Sequence, residues 1–418
     1  MNNMMEPKIR FKGFEGEWKA EDFQNSFDSL RNNSLSRAEL ADDGKIANIH
    51  YGDVLIKYSE CIDTSVDKLT YILDNGIGKN LVKNGALKRG DIIFADAAED
   101  STVGKCSELL CKDNELIVSG LHTIACRPRL NVAEKYLGYY LNSPAYHNQL
   151  LPHIQGTKIS SISKKAINTT FVVFPTQKAE QQEIASYFTS LDSQISASTS
   201  RLASLKQMKA ASLQAMFPQE GETVPKIRFK GFEGEWKKVK FSELYERSSI
   251  KNDLSFGEDK IISVANMFFI KNSRQVDDDY LRSYNIMRLG DIAFEGHSSK
   301  EFAYGRFVEN TIGDGIVSHV FVVMKPISKK YDLYFWKYYI NNENIMGRIL
   351  SRCTKSSTMM NDIVVDDFLK ESILVPSYGE QIEIGKILTS LDRQISLQSQ
   401  RLEKLKQIKS ACLDKMFV

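Results

Sequence analysis

The chain uses one long stretch twice, and this repetition limits the folds open to it. Residues 180–217 and 380–417 align without a gap at a spacing of 200, and about half of the aligned positions are identical. Apolar residues in both copies recur every three or four positions, as in a helix that buries a narrow stripe. The predicted helix-pairing residues are Leu191, Ile195, Leu202, Leu205, Leu391, Ile395, Leu402 and Leu405. We therefore predict two long helices that bury these stripes against each other.

A second, shorter motif is also repeated. The sequence PKIRFKGFEGEW occupies 7–18 and, without a change, 225–236. Together with the helices it identifies an internal duplication. These copies are 218 residues apart, whereas Gly90-Asp91-Ile92 and Gly290-Asp291-Ile292 are 200 apart. The first half therefore carries 18 extra residues before this tripeptide, in a stretch where the halves share no pattern.

Size and composition narrow the class of protein. With 418 residues, 42% hydrophobic and 26% charged, the chain has the make-up of a soluble protein of two or three domains. Its net charge of +2 permits a nucleic-acid partner without requiring one. Six cysteines without a C-x-x-C pair predict reduced thiols. Because there is no signal-like segment and no apolar run of about 18 residues, we expect a cytoplasmic protein without membrane contact.

Between the repeats the pattern predicts mixed α and β structure. Short apolar runs beside turn residues indicate strands at 91–95, 116–119, 123–126, 171–174, 291–294, 320–324 and 373–375. Helices are predicted at 134–141, around 146–150 and at 332–340. Each repeated long helix follows its own globular part, so a two-fold relation would make the pair antiparallel. The fold class is therefore α/β of the mixed α+β kind, a pseudo-two-fold internal repeat with two long antiparallel coiled-coil helices.

The start of each long helix is open to two interpretations. Ser377 and Glu380 have the spacing of a capping box. Asp192 and Asp392 are also good N-cap residues, and we favour a short helix that ends before them over one continuous helix.

Polar residues on the long helices also leave alternatives. Ser198 and Gln398 fall on the apolar stripes, either at a solvated position or as a register-setting polar layer. Arg201, Lys206 and Lys209 are typical of a solvated face, although phosphates or a partner subunit are alternative contacts.

A search for chemistry finds no catalytic set. The sequence lacks an N-P-P-[FYW] or D-P-P-[FYW] motif for adenine methyl transfer and a phosphate-binding G-x-x-x-x-G-K-[ST] loop. Its six histidines have no metal-ligand spacing. Glu17 and Glu235 stand in the E-x-K pattern of some nucleases, but such charges beside a repeated tryptophan are more typical of a surface around a buried ring. We expect no catalytic residue and no metal site, which favours a binding protein.

Polar loops after and between the predicted strands are the candidates for that binding. Ser, Thr and Lys donors suit phosphate oxygens, and basic side chains beside them can reach base edges in the major groove. The candidate DNA-binding residues are Lys105, Thr157, Lys158, Ser160, Ser161, Lys164, His297, Ser298, Ser299, Lys300, Arg306, Arg352, Thr354, Lys355 and Ser356.

Several motifs recur in the same order in both halves. They are the F-x-G-F-E-G-E-W openings, the G-D-I tripeptides, Ile117-Val118-Ser119-Gly120 with Ile316-Val317-Ser318-His319, Pro175 and Pro376, Glu-Gln at 180 and 380, Ser-Leu-Asp at 190 and 390, and Leu-Lys-Gln at 205 and 405. In this order, twice, they make the whole chain resemble the specificity (S) subunit of Type I restriction–modification systems.

The resemblance implies a non-catalytic subunit that reads a bipartite site in double-stranded DNA. Two methyltransferase (M) subunits, which bind S-adenosylmethionine and methylate adenine, would assemble on the chain, and motor-nuclease (R) subunits would complete the restriction enzyme. No cofactor is expected on this chain, while S-adenosylmethionine, ATP and Mg²⁺ are expected on the partners. The implied segments are target-recognition domain 1 at 1–180, a helical spacer at 181–217, a linker with target-recognition domain 2 at 218–380, and a second spacer at 381–418.

The divergent interiors add one expectation to the resemblance. Because 19–89 and 237–289 differ, the two half-sites should differ, whereas a homodimeric reader needs a palindrome. The identical dodecapeptides also suggest seams for recombination between recognition domains. Two other functions fit the repeat: a coiled-coil adaptor with two protein-binding domains, and an enzyme with an unrecognised nuclease site.

Overall fold

The chain divides into two structural units. A computed structural model describes residues 5–156, 158–271, 277–356 and 360–418. Unit 1 comprises the residues up to Ser198 together with Arg401–Val418, and unit 2 comprises Thr199–Gln400. Each unit thus contains one globular part, the beginning of one long helix and the end of the other. The four-segment division with bounds at 180, 217 and 380 stays a prediction.

Unit 1 has many short strands and helices. Its strands are β1 (Lys19–Asp22), β2 (Phe27–Ser29), β3 (Leu40–Ala41), β4 (Ala47–Ile49), β5 (Cys61–Asp63), β6 (Thr70–Ile72), β7 (Ile92–Ala95), β8 (Ala97–Ala98), β9 (Cys106–Leu110), β10 (Ile117–Ser119), β11 (Thr123–Pro128), β12 (Ser160–Ser161) and β13 (Phe171–Phe174). Its helices are α1 (Phe23–Ser26), α2 (Tyr51–Ile56), α3 (Asn75–Gly85), α4 (Tyr136–Leu141), α5 (Pro144–Leu150) and α6 (Lys164–Ile167), with 3-10 turns at Arg37–Glu39 and Leu151–His153.

The first long helix, α7 (Lys178–Ala215), begins in unit 1 and ends in unit 2. The strands of unit 2 are β14 (Lys237–Lys240), β15 (Tyr245–Ser248), β16 (Ile262–Ser263), β17 (Phe268–Phe269), β18 (Asn285–Met287), β19 (Ile292–Glu295), β20 (Arg306–Glu309), β21 (Gly315–Val317), β22 (Val322–Pro326), β23 (Thr354–Lys355), β24 (Asp362–Ile363) and β25 (Ser372–Val375). Its helices are α8 (Phe241–Leu244), α9 (Asp278–Ser283), α10 (Leu333–Tyr339), α11 (Glu343–Cys353) and α12 (Val365–Lys370), with a 3-10 turn at Glu258–Lys260; the second long helix, α13 (Tyr378–Lys415), follows.

The two units share a sheet framework. In unit 1 the strands β2, β11, β7 and β9 lie side by side, with β5 added in parallel at the edge. The corresponding sheet of unit 2 has the order β15, β22, β19 and β20. A two-stranded antiparallel ribbon closes each globular part, β1 with β13 and β14 with β25. The predicted mixed α+β class is confirmed.

The interiors differ as the divergent sequences predict. Unit 1 carries a four-stranded sheet of order β10, β4, β6 and β3, in which β10 and β4 are parallel. In the described part of unit 2, β18 pairs with β21 and β16 with β17, as separate two-stranded ribbons. The extra residues of the first half therefore fall in a region that is built differently.

The contacts of the dodecapeptide explain why both copies have the same sequence. In unit 1 the Arg10 guanidinium donates two hydrogen bonds to the buried Glu180 carboxylate, at 2.7 and 2.8 Å. The Ile9 N–H donates to the Lys415 carbonyl at the end of α13, at 2.9 Å. The buried ring of Trp18 packs edge-on against Phe417. The dodecapeptide thus contacts both the beginning of α7 and the end of α13.

Unit 2 repeats these contacts with its own copy. Arg228 donates two hydrogen bonds to the buried Glu380 carboxylate, at 2.7 and 2.8 Å. The Ile227 N–H donates to the Ala215 carbonyl at 2.9 Å, and Trp236 packs edge-on against Phe217. The exposed Glu17 and Glu235 flank buried tryptophans, as predicted.

The predicted pairing of the long helices is confirmed. Leu191, Leu205, Leu391 and Leu402 are buried, and Ile195, Leu202, Ile395 and Leu405 are half-buried. Within unit 1, Tyr187 contacts Cys412 and Asp192 contacts Lys409, a register in which one number rises as the other falls. The helices are therefore antiparallel.

Two further details concern the faces along which the long helices pair. Met208 is 55% exposed, whereas the neighbouring Lys209 is partly buried and pairs with Asp392. Ser198 is buried, which favours a polar layer over a solvated position.

The favoured break at Asp192 and Asp392 is wrong, because α7 and α13 run through both residues. Asp192 accepts hydrogen bonds from the Tyr139 hydroxyl and the Lys409 ammonium, both at 2.7 Å. Asp392 accepts from the Tyr338 hydroxyl and the Lys209 ammonium, both at 2.6 Å. Tertiary partners, rather than the N–H groups of a helix start, satisfy these carboxylates.

The predicted capping box is half correct. The Ser377 hydroxyl accepts the Glu380 N–H at 3.3 Å, as a capping box requires. The Glu380 carboxylate binds Arg228 instead of turning back to the cap.

Candidate nucleic-acid interface

In unit 1 the two polar loops chosen from the sequence lie together. The short ribbon of β8 and β12 pairs Ser160 with Ala98 and Ser161 with Ala97. The Ile162 N–H donates to the Asp96 carbonyl at 2.9 Å. The loop that follows β7 and the segment that contains Lys158 therefore form one edge of the unit.

The basic candidates on this edge have different surroundings. Lys158 is exposed, and Thr157 lies outside the described residues. Lys164 is the exposed first residue of α6, which the Ser163 hydroxyl caps by accepting the Ala166 N–H. Lys164 and Arg31 both line a groove of about 440 Å³ that also has Asp96 in its wall. This groove brings two cations to one place, and Arg31 was not among the predicted residues.

The side chain of Lys105 is held by contacts within the protein. Its ammonium donates to the carbonyls of Leu55 and Tyr58, both at 2.9 Å. Burial lowers the pKa of Lys105. A contact between this residue and DNA stays a prediction, although two intramolecular acceptors already hold its charge.

Unit 2 brings its two polar loops together at the corresponding strand end. The Asn361 N–H donates to the Gly296 carbonyl at 2.8 Å, next to the end of β19. The buried Asn361 amide donates to the Ser298 hydroxyl at 2.9 Å and to the Ala303 carbonyl at 3.3 Å. The loop with His297 and the segment with Lys355 thus form one edge, as in unit 1.

Within the first loop of unit 2 the candidate side chains are partly engaged. The Ser299 hydroxyl accepts the Phe302 N–H at 3.0 Å, and Lys300 is exposed. Arg306 stacks on Phe302, with its guanidinium carbon 4.7 Å from the ring centroid, and donates to the Ala265 carbonyl at 2.8 Å. The Phe302 ring and the Ala265 carbonyl therefore fix the orientation of the Arg306 guanidinium.

The second loop of unit 2 contains one engaged cation and one exposed cation. Arg352 donates two hydrogen bonds to the Glu371 carboxylate, at 2.9 and 2.6 Å, and thereby lowers the pKa of Glu371. The Thr354 hydroxyl donates to the Leu350 carbonyl at 2.8 Å. Lys355 and Ser356 are exposed. Lys355 is the better placed of the two cations for a phosphate.

Each edge also carries a histidine beside a carboxylate. In unit 1 the His122 Nδ1 lies 3.1 Å from Asp96 Oδ1, and the His122 backbone has a φ of +54°. In unit 2 the His297 Nδ1 lies 2.5 Å from Glu295 Oε1. Burial raises the pKa of Asp96, and the neighbouring His122 opposes that shift. His122 was not predicted; its signal is a polar residue in the tight turn after the strand at 117–119.

The loops that carry most of the candidate residues therefore form one edge of each unit, and their contact with DNA stays a prediction. Elsewhere in the described ranges, no group of three or more His, Cys, Asp or Glu side chains could hold a metal ion. None of the described helices combines the length and apolar character needed to cross a membrane. All six cysteines are free, and four of them are buried.

Solved structures with a similar fold are known. The S subunit of the Type I restriction-modification system from M. genitalium matches with a TM-score of 0.59 at 13% identity, covering 99% of both chains. The HsdS subunit from Thermoanaerobacter tengcongensis matches with a TM-score of 0.47 at 15% identity over 96% of both chains. A chain from a structure describing complex assembly and conformational transition of the Type I R-M system matches with a TM-score of 0.49 at 14% identity, over 96% of this chain and 97% of that one.

Comparison with protein families identifies the chain more directly. No curated protein sequence matches it significantly. The family model of the Type I restriction modification DNA specificity domain matches twice, at residues 27–207 and 233–407. Each match contains one globular part and most of the long helix that follows it, and together they span most of the chain. The chain therefore belongs to the family of Type I restriction-modification DNA specificity proteins.

Proposed function

We propose that this chain reads an asymmetric, bipartite DNA site, with one half-site for each unit, and serves as the scaffold on which two methyltransferase subunits assemble. Family membership supports DNA recognition as the general role. In this proposal the chain supplies sequence recognition and no chemistry. Adenine methylation with S-adenosylmethionine, and any cleavage with ATP and Mg²⁺ by motor-nuclease subunits, belong to its partners.

The observation that carries the proposal is the contrast between constant and variable contacts. Arg10 with Glu180 and Arg228 with Glu380 make the same bonds in both units. At the loop edges the contacts differ: β12 pairs with β8 in unit 1, whereas in unit 2 β23 pairs with β24 and Arg306 stacks on Phe302. A chain that holds two different readers on one repeated framework suits a site with two different halves.

Phosphate contacts and base contacts have separate roles in the proposed interface. Exposed lysines at the loop edges neutralise phosphates and supply affinity that does not depend on sequence. Oriented polar side chains at the strand ends, such as Arg306, supply the directional donors that distinguish base edges in the major groove.

The test is to express the chain with the methyltransferase encoded next to it and to map N6-methyladenine in the host genome. We expect one asymmetric motif with a gap of fixed length, present only when the chain is present. Omission of the chain is the matched control. If no motif depends on the chain, the proposal is refuted, and an adaptor with two protein-binding domains becomes the better explanation.

A hybrid chain sharpens this test. Replacing 237–375 by 19–174 gives both halves the first interior and leaves the dodecapeptides and long helices unchanged. If each interior reads one half-site, the hybrid should methylate a site whose two halves are inverted copies of each other. An unchanged asymmetric motif would show that the interiors do not determine the sequence read.

A further inference from the structure

Each unit has a histidine–carboxylate pair at the end of one of two corresponding strands. Asp96 directly follows β7, and Glu295 is the last residue of β19, the corresponding strand. Both strands end beside the edge where the polar loops meet, through Ile162 in unit 1 and Asn361 in unit 2. His122 lies in the turn after β10 and His297 in the loop after β19, so the two rings reach this edge from different loops.

In both units the ring is accessible and the carboxylate is shielded. The side chain of His122 is 52% exposed and that of Asp96 is 26% exposed. In unit 2 the corresponding values are 67% for His297 and 9% for Glu295. A histidine that served only to pack the core would be buried, whereas these rings face away from it.

Each ring is held in a defined orientation. Tyr51 packs edge-on against His122 with 5.3 Å between ring centroids, and the carbonyl of His122 accepts the Asp96 N–H at 3.0 Å. The φ of +54° at His122 is costly for a residue with a side chain, so the fold maintains it against local preference. In unit 2 the Oε1 atom of Glu295 accepts a hydrogen bond from the backbone N–H of His297 and also contacts the ring Nδ1 of the same residue.

The carboxylate determines what the outer nitrogen can do. An ionised carboxylate only accepts hydrogen bonds, so it places the ring hydrogen on Nδ1. In the neutral ring Nε2 then carries a lone pair and acts as an acceptor. Among the described residues, neither Nε2 atom has a hydrogen-bond partner. Each unit thus presents one oriented acceptor at its loop edge.

We propose that His122 and His297 are base-reading residues, one for each half-site, and that Asp96 and Glu295 are positioning residues that fix the tautomer of each ring. The inference rests on the proposed function and names the readers within it. An Nε2 acceptor matches the exocyclic amino group of adenine or cytosine in the major groove. Lys158 and Lys355, exposed on the adjoining segments, are placed to hold the neighbouring phosphates.

The experiment selects bound sequences from a random duplex DNA library, with the full chain purified together with the methyltransferase from its own locus. His122→Ala should weaken the preference at one base pair of one half-site by roughly 10-fold to 100-fold, and leave the other half-site unchanged. His297→Ala should do the reverse. Each variant is therefore the matched control of the other, and the retained half-site shows that the protein is folded.

Further variants test the positioning role. Asp96→Asn and Glu295→Gln should relax the same base pairs as the corresponding histidine variants, but less strongly, because an amide oxygen still accepts the ring N–H. A merely structural role would weaken all positions together. If His122→Ala does not fold, His122→Gln keeps a polar side chain and should still change the preference at that base pair.

The outcomes separate this inference from the proposed function. If the wild-type complex selects a gapped motif and both histidine variants select the same motif with the same preferences, the inference is overturned and the proposed function stands. If the wild-type complex selects no motif, the proposed function fails and this inference fails with it. Relaxation confined to one half-site per variant supports both.

Discussion

In unit 1 the strand β9 carries Glu108 opposite Ile92, and in unit 2 the strand β20 carries Glu309 opposite Ile292. The two carboxyl groups occupy the same place in the sheet and are both buried. Glu108 accepts the backbone N–H groups of Lys135 and Gly138, at 2.7 and 2.9 Å. Glu309 accepts the Tyr331 hydroxyl through Oε1, and its buried Oε2 has no partner among the described residues.

The difference follows from how the next helix is capped. In unit 2 the helix α10 has its own cap, because the Asp332 carboxylate accepts the Phe335 N–H at 2.8 Å. In unit 1 the residue at this place is Ala133, whose N–H bonds to Gln181 as the Asp332 N–H bonds to Gln381. Alanine has no side-chain acceptor, so Glu108 reaches the start of α4 from the strand. The comparison teaches that the framework contacts stayed fixed while nearby polar contacts were rearranged around them.

The strongest test of the fixed framework removes one arginine from each unit. Arg10→Met leaves the buried Glu180 carboxylate without its partner, and we expect unit 1 to lose about 3–5 kcal/mol of unfolding free energy. Arg228→Met should cost unit 2 a similar amount. Hydrogen exchange at 178–198 and at 378–398 measures the two effects separately. The double variant Arg10→Met with Glu180→Met is the control, because replacing the whole pair should recover most of the loss. If the two units lose very different amounts of unfolding free energy, the two arginine–glutamate pairs are not equivalent.

The second test distinguishes the hydrogen-bonding roles of the two buried carboxyl groups. Glu108→Gln places an amide NH₂ against one of two backbone N–H donors, and we expect unit 1 to lose about 2–3 kcal/mol. Glu309→Gln keeps an acceptor for Tyr331 and should be neutral or stabilising at neutral pH. Denaturant unfolding of the two variants measures the contrast. Equal losses would contradict the different roles inferred from the hydrogen bonds.

The pH dependence of stability sharpens the same contrast. Burial raises the pKa of Glu108 to about 7, although its two backbone hydrogen bonds lower it, and burial raises the pKa of Glu309 well above its ordinary range. The folded state therefore retains these protons at pH values where the unfolded chain has released them. Stability should fall as the pH rises from the ordinary carboxyl pKa, and the part of this fall that Glu108 contributes should end near pH 7. Unfolding measured from pH 5 to 8.5 should show a flatter profile below pH 7 for Glu108→Gln than for the wild type, and Glu309→Gln should also reduce the fall in stability.

The smallest expected effect compares the exposed lysines of the two loop edges. Lys158→Ala and Lys355→Ala should each weaken DNA binding almost equally for all sequences and reduce the slope of log affinity against log salt by ~1. Binding titrations at several salt concentrations measure the slope. Lys105→Ala tests another basic candidate of unit 1: an unchanged slope would show that its ammonium, which two carbonyls hold, makes no phosphate contact. A change of sequence preference in either exposed variant would contradict a phosphate role.

Much of the framework was predictable from the sequence because its contacts are local or repeated. The strand predicted at 171–174 is observed with the same bounds, and the predicted helix at 134–141 is observed from Tyr136. The stripe on the long helices was predictable because its apolar residues recur with helical spacing. The interior between Trp18 and Gly90 offered neither a repeat nor a strong periodicity, and its strands β1 to β6 were not predicted.

The candidate loops were chosen from the sequence by composition, and their role in binding stays a prediction. That the polar loops meet at one edge of each unit was not predicted, because the contact is set by tertiary packing. The sequence could not show that Arg352 is paired with Glu371, because that partner lies 19 positions away and is set by tertiary packing. For the same reason Asp192 was mistaken for a helix start, since its partners Tyr139 and Lys409 are far along the chain.

The contact between Phe417 and Trp18 has a consequence for synthesis of the protein. Phe417 lies in the core of unit 1. Unit 2 is one continuous stretch of the chain, and Phe217 in its core is part of that stretch. At roughly 5–20 residues per second, a ribosome needs about 10–40 s to pass from the end of the first half to the last helical turn. During that time the N-terminal globular part lacks a ring that belongs in its core. The half made second can therefore reach its final packing before the half made first, which needs Phe417 to complete its core.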